Sequence, residues 1–299
     1  MMATRPMLLA LLLAGAALAQ TPQPDGGGVR LGSLPPKWQV SGPDCPAHPA
    51  FEVQPYNDDL YILRESGCSN YEKPFLYLLF GADKALLLDT GAGTTDVVDV
   101  VGRVIDAWLG RHGRDGIDLV VAHTHAHGDH TAGDEQFRRR PRTEVVATSP
   151  EAVSAFFGFR HWPEEPETYD LGGRVLDVLA IPGHEPSSIA IYDRQTGVLF
   201  TGDTLYPGRL YVRDAPAFAR SIARLVEFTR GKVVAHVLGN HIEQTRTPYL
   251  DYPVGTVHQP DEHALELGRA QLLELDEALR AMHGDVRRMA FRDFTVWPK

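Results

Sequence analysis

The chain has 299 residues, a formal net charge of −10 at pH 7 and an isoelectric point near 5.7. This acidic balance argues against nucleic-acid binding, because a protein that binds phosphates presents a basic face. The two cysteines lie far in sequence from every candidate metal ligand, which argues against catalysis by a reactive cysteine.

The N-terminus has the layout of a secretory signal. Arg5 precedes an apolar stretch from Met7 to Leu18, and the small residues around Ala19 predict cleavage after it. A retained membrane anchor is the alternative, but the apolar stretch is shorter than the roughly 20 residues that span a bilayer. We therefore expect residues 1–19 to be a signal peptide and the mature protein to be soluble, periplasmic or secreted, and without a stable membrane anchor.

Residues 20–46 are rich in Pro and Gly, which predicts a flexible leader or an arm that wraps around the domain. No linker divides residues 47–299, so we expect one catalytic domain there. Cys45 and Cys68 could form one disulfide in an oxidising compartment or remain two separate thiols, and the sequence leaves both alternatives open.

The first cluster of chemistry-bearing residues follows a helix and a strand. Thr94 and Thr95 can cap an amphipathic helix that ends before Gly110, and the β-branched run Ile117–Ala122 predicts a buried strand. The strand leads into the sequence HTHAHGDH. A single His is ordinarily a satisfied core or surface group, but this run has the density of a metal site. Its four candidate ligands are His125, His127, Asp129 and His130.

Three later strands end in the same way, each at a glycine that is followed by imidazole or carboxylate. First-row metals bind such side chains. The recurrence predicts one sheet edge at which all the candidate ligands converge. The strands are Arg174–Ile181, Val198–Thr201 and Lys232–Leu238, and the side chains that follow them are His184, Asp203 and His241.

Two nearby histidines are weaker candidates. Moving the first motif back to His123 would put glycine at a ligand position, and His236 lies inside a strand before its glycine break, so we favour His241. Two further amphipathic helices are predicted, one opening at Asp214 and Pro216 and ending at Gly231, the other running from about Asp261 to Met282. Strands that alternate with such helices favour the α/β class.

The motifs THAHGDH, PGH, TGD and GNH, at 124–130, 182–184, 201–203 and 239–241, resemble the ordered signature of the metallo-β-lactamase fold superfamily. LLLDTGAG at 86–93 is similar to the strand and turn that precede its first metal motif. The resemblance implies a four-layer αββα sandwich. It also implies a first metal on His125, His127 and His184, a second on Asp129, His130 and His241, Asp203 as the bridge, and Asp89 as a structural aspartate that does not touch metal.

The implied cofactor is Zn²⁺, two per chain. Zinc lowers the pKa of bound water to about 7, so a hydroxide that bridges the ions is expected to attack a carbonyl while Asp129 shuttles the proton. The site would keep a net positive character, which favours electron-rich or anionic small molecules. We therefore expect cleavage of an ester, lactone, thioester or related acyl bond. The sequence does not fix the oligomeric state.

Substrate choice is the least constrained part of the sequence. GDTL at 202–205 is similar to the glyoxalase II type of hydroxyacyl-thioester hydrolase. Tyr206 stands where lactonases of the superfamily place a tyrosine that contacts the substrate carbonyl; the alternative is an ordinary half-buried aromatic with a satisfied hydroxyl. Arg209 could bind a carboxylate, although an exposed arginine is the favoured interpretation.

Three other functions remain open. One is β-lactamase activity, although β-lactamases of the superfamily generally have Cys or Ser where this chain has Asp203. Another is a persulfide dioxygenase that binds a single iron through a subset of the same ligands. The third is a binding module without catalysis, which the presence of every ligand position disfavours.

Overall fold

Two six-stranded β-sheets form the centre of the molecule. The structure is a computed structural model that describes residues 28–93 and 95–299, so the predicted signal peptide lies outside the described residues. The first sheet has its strands in chain order, antiparallel from β1 to β4 and parallel from β4 to β6. Its strands are β1 Phe51–Asn57, β2 Leu60–Glu65, β3 Phe75–Phe80, β4 Lys84–Leu88, β5 Asp118–Ala122 and β6 Thr143–Val145.

The second sheet comprises β7 Glu167–Asp170, β8 Val175–Ala180, β9 Ile189–Asp193, β10 Val198–Gly202, β12 His236–Gly239 and β13 Glu266–Leu267. Its spatial order is β13-β12-β10-β9-β8-β7; β10 and β12 are parallel, and the other neighbouring pairs are antiparallel. A small third sheet packs beside it and comprises β11 Arg209–Val212, β14 Met289–Ala290 and β15 Thr295–Pro298.

The helices are α1 Val97–His112, α2 Gly128–Thr131, α3 Asp134–Arg138, α4 Pro150–Phe157, α5 Ala215–Phe228 and α6 Arg269–Ala281. The longer helices α1, α5 and α6 cover the outer faces of the two large sheets, whereas α4 packs against the inner core. Apolar residues of both sheets, such as Leu88 and Phe200, meet in one inner core. The apolar stripe of α1 packs on the first sheet, and α5 and α6 pack on the second. These layers confirm the predicted α/β class and four-layer αββα sandwich.

Several element boundaries differ from the sequence-based expectations. Helix α1 begins after Asp96 and continues through Gly110 to Gly113, because Gly113 adopts the left-handed conformation (φ 60°) that ends a helix. Helix α6 begins at Arg269, since the residues before it include β13, which pairs with the edge of β12. Strand β12 itself begins at His236, four residues later than Lys232.

The described part of the Pro- and Gly-rich N-terminal segment packs against the domain. Trp38 and Val40 are buried, and the Trp38 ring meets Phe75 edge-on with centroids 4.9 Å apart. Cys45 forms a disulfide with Cys68, so the alternative of two free thiols does not hold. This part of the segment is therefore a packed arm and not a flexible leader, because its aromatic and cysteine side chains are held by the domain. Within the described ranges, no helix combines the length and apolar character needed to cross a bilayer.

Candidate metal centre

All seven predicted ligands come together at one end of the sandwich. The expected single sheet edge is wrong in one respect, because β5 belongs to the first sheet whereas β8, β10 and β12 belong to the second. The two sheets pack face to face, so the loops that follow these strands meet over the inner core. The donor atoms form two groups, each with its members within 4.8 Å of one another: His125, His127, His184 and Asp203 in one, and Asp129, His130 and His241 in the other.

The second group has nearly ideal spacing for a tetrahedral ion. His130 Nε2 lies 3.3 Å from Asp129 Oδ2, His241 Nε2 lies 3.3 Å from the same oxygen, and the two nitrogens are 3.3 Å apart. Donor atoms around a tetrahedral zinc with bonds of about 2.0–2.1 Å lie about 3.3 Å apart. These three atoms therefore form one face of a zinc-sized tetrahedron.

The first group is slightly tighter. His127 Nδ1 lies 2.9 Å from His125 Nε2 and 3.1 Å from His184 Nε2. Ring nitrogens at these distances are compatible with a shared cation, which binds the lone pairs of neutral imidazoles. The group presents three nitrogens and one carboxylate oxygen, a donor set that zinc accepts.

Asp203 joins the two groups. Its Oδ2 lies 3.8 Å from His125 Nε2, 3.7 Å from His184 Nε2 and 3.7 Å from His130 Nε2. Its Oδ1 is buried, lies 3.4 Å from His241 Nε2 and forms no hydrogen bond with the described residues. A buried carboxylate oxygen without a donor is costly unless a cation satisfies it. The Asp203 carboxylate therefore fits the predicted bridging position, and the seven residues together fit a pair of metal ions.

Neighbouring oxygens fix the orientation of four of the five imidazoles. The Nδ1 atoms of His184 and His241 donate to the carbonyls of Tyr211 and Glu72, each at 2.9 Å. His130 Nδ1 donates to the Asp89 carboxylate. His125 Nδ1 donates to the Thr124 hydroxyl, which itself donates to Asp89. A proton on Nδ1 leaves Nε2 unprotonated in the neutral ring, so each of the four aims a lone pair into the site.

Asp89 holds the loop that carries the first motif. It is fully buried with φ 68°, and its carboxylate accepts from the Thr124 backbone at 2.7 Å and the Thr124 hydroxyl at 2.8 Å. It also accepts from His130 Nδ1 at 3.0 Å and from Asn240 Nδ2 at 2.6 Å. Asp89 thus links the loops after β4, β5 and β12. Its link to the donor groups is His130, which it holds by Nδ1, on the opposite side of the ring from the donor atom Nε2.

The electrostatics of the protein alone divide the site into two parts. Burial and then the nearby His130 lower the pKa of His125 well below its usual range, and burial also lowers the pKa of His127 and His184. Burial lowers the pKa of His241 too, but the carboxylates of Asp203 and Asp129 outweigh it and raise that pKa to about 9. In the protein alone, the imidazoles of the first group are therefore neutral. The second group includes the protonated His241, and a metal ion can take the place of that proton.

A cavity of about 310 Å³ opens onto the donor atoms. Of the two ligand carboxylates that line it, Asp129 has the more exposed side chain, at 23% against 9% for Asp203. Arg213 and Lys299 also line the cavity, and both are exposed. The sequence analysis did not predict these two cations, although Arg213 follows strand β11 directly, because the strand-end pattern concerned only imidazole and carboxylate after a glycine.

Tyr206 does not have the predicted substrate-contacting geometry. It lines the cavity, but it is buried and its hydroxyl donates to the Arg209 carbonyl at 2.5 Å, with Glu243 Oε2 at 3.1 Å. The alternative of an aromatic with a satisfied hydroxyl describes it. The expectation of an exposed Arg209 is wrong, because its guanidinium is buried and forms ion pairs with Glu243 and Asp251.

The two weaker histidine candidates lie outside the donor groups. His123 is buried and its Nε2 lies 2.8 Å from Asp134 Oδ1. His236, at the start of β12, packs edge-on against Tyr56 with ring centroids 5.8 Å apart. Both positions agree with the interpretation of these residues as structural.

The model of the family described as "Metallo-beta-lactamase superfamily" matches residues 74–279. Among curated proteins, the chain is 24% identical over 228 residues to the acyl-coenzyme A thioesterase MBLAC2 of Gallus gallus, with 64% of this chain and 80% of that protein aligned. It is 32% identical over 145 residues to the hydroxyacylglutathione hydrolase of Methylococcus capsulatus, with 47% of this chain aligned. The chain spans only 55% of the length of that hydrolase.

Solved structures show the same fold. A metallo-beta-lactamase from Pontibacter korlensis superposes with a TM-score of 0.52 at 18% identity and covers 77% of this chain and 99% of its own. The metallo-beta-lactamase FIM-1 from Pseudomonas aeruginosa gives a TM-score of 0.51 at 15% identity, covering 79% of this chain and 97% of its own. Identities this low carry information about the fold alone.

Proposed function

This chain belongs to the metallo-β-lactamase superfamily, and from that premise we propose that it is a zinc-dependent hydrolase of thioesters and related acyl esters. The observation that carries the proposal is the pair of donor groups joined by the Asp203 carboxylate beside an open cavity. Two of its relatives are named for thioester cleavage, one on acyl-coenzyme A and one on hydroxyacylglutathione. Their names favour a thioester over a lactam or a phosphodiester.

The first metal would be held by His125, His127 and His184, the second by Asp129, His130 and His241, with Asp203 between them. Zinc at this position lowers the pKa of water to about 7 and polarises a carbonyl, which is the chemistry that acyl hydrolysis requires.

The protein's own residues supply proton handling and orientation. Asp129 is the most exposed ligand carboxylate and lines the cavity, so it is placed to take a proton from the attacking water and deliver it to the leaving thiolate. The Nδ1 hydrogen bonds of His130, His184 and His241 keep the donor nitrogens fixed during that exchange.

Two exposed cations on the cavity wall support an anionic substrate. The side chain of Arg213 forms no hydrogen bond or ion pair within the described part of the chain, and Lys299 Nζ lies 3.8 Å from the centroid of the Tyr211 ring without a carboxylate partner there. Both cations are therefore free to bind a carboxylate or phosphate on the leaving group.

A hydrolysis panel with the metal-free and zinc-loaded protein tests the proposal. The panel comprises S-lactoylglutathione, an acyl-coenzyme A, a homoserine lactone, nitrocefin and a phosphodiester. We expect zinc-dependent release of free thiol from at least one thioester, with much slower turnover of nitrocefin and the phosphodiester. Turnover of nitrocefin alone, or no zinc-dependent cleavage of any member, would contradict the proposal.

We also propose that the protein works in an oxidising compartment. The sequence of residues 1–19 supports export, and the Cys45–Cys68 disulfide supports a destination in which thiols oxidise. N-terminal sequencing of the protein recovered from the periplasm or medium tests this proposal, with Gln20 expected as the first residue. Recovery of uncleaved protein from the cytoplasm would overturn it.

A further inference from the structure

A second cavity of about 490 Å³ lies directly beside the metal centre. The two cavities share His184 and Arg213 as common walls. The second cavity is formed where the turn that carries His184 faces the loop around Trp162 and the first turn of α5. A volume of this size lies in the range of about 300–1,000 Å³ that holds small-molecule ligands.

The walls of this second cavity are mainly apolar. They comprise the indole of Trp162, the rings of Pro150, Pro163, Pro182 and Pro186, and the methyl group of Ala217. Trp162 is itself supported edge-on by Phe159, with ring centroids 5.0 Å apart. An apolar ligand would therefore find a preformed wall of aromatic and proline carbons.

The acidic groups on these walls are already engaged. The Glu185 carboxylate accepts from the backbone and hydroxyl of Ser187, at 2.8 and 2.5 Å, and the Asp214 carboxylate caps α5 by accepting from the Ala217 backbone at 2.9 Å. Each carboxylate thus has one oxygen that holds the local backbone. Arg213 stands at the junction with the metal centre and not at the apolar end, since it lines both cavities.

This arrangement gives the metal centre one polar side and one apolar side. Glu72, Arg213 and Lys299 line the polar side, whereas the Trp162 cavity opens on the side of His184. A fatty-acyl thioester of coenzyme A or glutathione divides in the same way, because its leaving group is polar and its acyl chain is a hydrocarbon. With the carbonyl at the metal centre, the two halves match the two cavities in one orientation only.

We propose that the Trp162 cavity binds the acyl chain of the substrate, so that the enzyme prefers acyl groups of several carbons, with Trp162 as a specificity-determining residue. This inference rests on the proposed acyl hydrolysis and deepens it. Burial of hydrocarbon in the cavity is worth about 0.8 kcal/mol per methylene, which corresponds to about fourfold in kcat/KM for each methylene until the cavity is full.

The first experiment uses the zinc-loaded protein and 4-nitrophenyl esters of acetate, butyrate, hexanoate and octanoate, which are neutral and share the 4-nitrophenolate leaving group. We expect kcat/KM to rise with chain length in the wild-type protein. In Trp162→Ala the rise should flatten, so that octanoate turnover falls more than acetate turnover, and Trp162→Phe should restore most of the slope. Phe156→Ala is the matched control, because Phe156 is a half-buried aromatic that packs on Tyr169 and does not line the cavity.

The second experiment is binding, which is independent of turnover and of metal. Isothermal titration of metal-free protein with octanamide and with acetamide compares a long and a short neutral acyl group. We expect octanamide to bind measurably more tightly than acetamide, and Trp162→Ala to weaken octanamide binding by about fourfold for each methylene that loses its contact with the indole.

The outcomes separate this inference from the proposed function. Ester cleavage that is independent of chain length, with equal binding of the two amides, would overturn the acyl cavity and leave acyl hydrolysis intact. Tight octanamide binding without any zinc-dependent ester or thioester cleavage would overturn the proposed hydrolysis and leave an apolar binding site. An equal loss of acetate and octanoate turnover in Trp162→Ala, in a folded protein, would assign Trp162 a structural role and contradict its role in specificity.

Discussion

At the scale of single residues, much of the site depends on groups that do not face the cavity. Asp89 accepts four hydrogen bonds from Thr124, His130 and Asn240, and so fixes three loops with one carboxylate. Such partners set the tautomer and the orientation of a ligand imidazole, and their loss typically weakens metal binding by about 10- to 100-fold.

Asp89→Asn should therefore weaken zinc binding by about 10- to 100-fold, because an amide cannot accept all four of these hydrogen bonds. Competition against a chromophoric chelator measures the change. The matched control is Asp134→Asn, since Asp134 also accepts from a buried histidine, but from His123, which lies outside both donor groups. Equal losses in the two variants would contradict the assigned role of Asp89.

Lys73 provides a test of the electrostatics of a buried cation. Its ammonium is buried and donates to the carbonyls of Tyr71 and Thr256 at 2.6 and 2.8 Å. Burial, and then the charge of Arg64, lower its pKa to about 8. An unfolded chain keeps a lysine proton up to about pH 10.4, so between about pH 8 and 10.4 the unfolded state binds more protons than the folded state.

The free energy of unfolding should consequently gain about 3 kcal/mol from Lys73 as the pH rises through that window, and nothing below it. Urea denaturation of the wild-type protein and of Lys73→Met at about pH 7.5, 9 and 10.5 gives the difference between the two at each pH. We expect that difference to shift in favour of the wild-type protein as the pH rises. A difference that is constant with pH would show that the pKa of Lys73 is not lowered.

Residue types and their spacing predicted the seven side chains that the fold brings together, because the chemistry of a candidate ligand is local to the residue. The environment of Arg209 could not be predicted in this way. Its partners Glu243 and Asp251 lie 34 and 42 residues further along the chain, and only folding brings them to it. The carbonyls of Glu72 and Tyr211 that orient two ligands leave no sequence signal at all, since every residue has a carbonyl.

At the scale of elements, the turn that carries His184 is fixed by its contact with α5. Gly183 has φ 141°, and a Cβ there would lie 2.4 Å from Phe218 Cα and 2.5 Å from Phe218 N. These are backbone atoms of a helix and cannot yield as a side chain would. The Gly183 carbonyl also accepts from the backbones of Arg213 and Asp214, which ties the turn to the start of α5.

Gly183→Ala should therefore push the His184 turn away from α5, lower the melting temperature and weaken zinc binding together. Differential scanning calorimetry and chelator competition measure the two effects. Gly102→Ala is the control, because Gly102 lies within α1 with open space around it, and alanine there should stabilise the helix by about 1 kcal/mol. A Gly183→Ala protein that keeps both properties would show that this contact does not position the ligand.

The apolar runs predicted the strands that lead to the metal centre, while the ends of the helices were less predictable. The Thr residues expected to cap α1 lie before Asp96, which is its N-cap, and the predicted stop at Gly110 is inside the helix. A glycine ends a helix only where the chain also turns to the left-handed conformation, as at Gly113. That choice depends on where the next strand must enter the sheet, which local sequence does not encode.

At the scale of the whole molecule, the N-terminal arm and the metal centre are linked by one covalent bond. Cys68 lies in the loop between β2 and β3, and the same loop carries Glu72, whose carbonyl accepts from His241. The disulfide spans 23 residues of sequence. A cross-link of that length stabilises the folded state by about 3 kcal/mol, chiefly by restricting the unfolded chain.

Reduction of the disulfide should accordingly lower the free energy of unfolding by about 3 kcal/mol. Denaturation with and without a reductant measures the loss. The double variant Cys45→Ala with Cys68→Ala should match the reduced wild-type protein in stability, whether or not the reductant is present. A wild-type protein whose stability is unchanged by complete reduction, verified by thiol titration, would contradict the stabilising role of the bridge.

The most direct test of the central claim is the metal content of the protein purified without added metal, with thioester hydrolysis measured in the same sample. We predict one zinc ion for each of the two donor groups, hydrolysis that is lost on chelation and restored by zinc, and loss of both metal and activity in His127→Ala. A single iron with oxygen uptake in the presence of glutathione persulfide, or a His127→Ala protein with unchanged metal and rate, would contradict it.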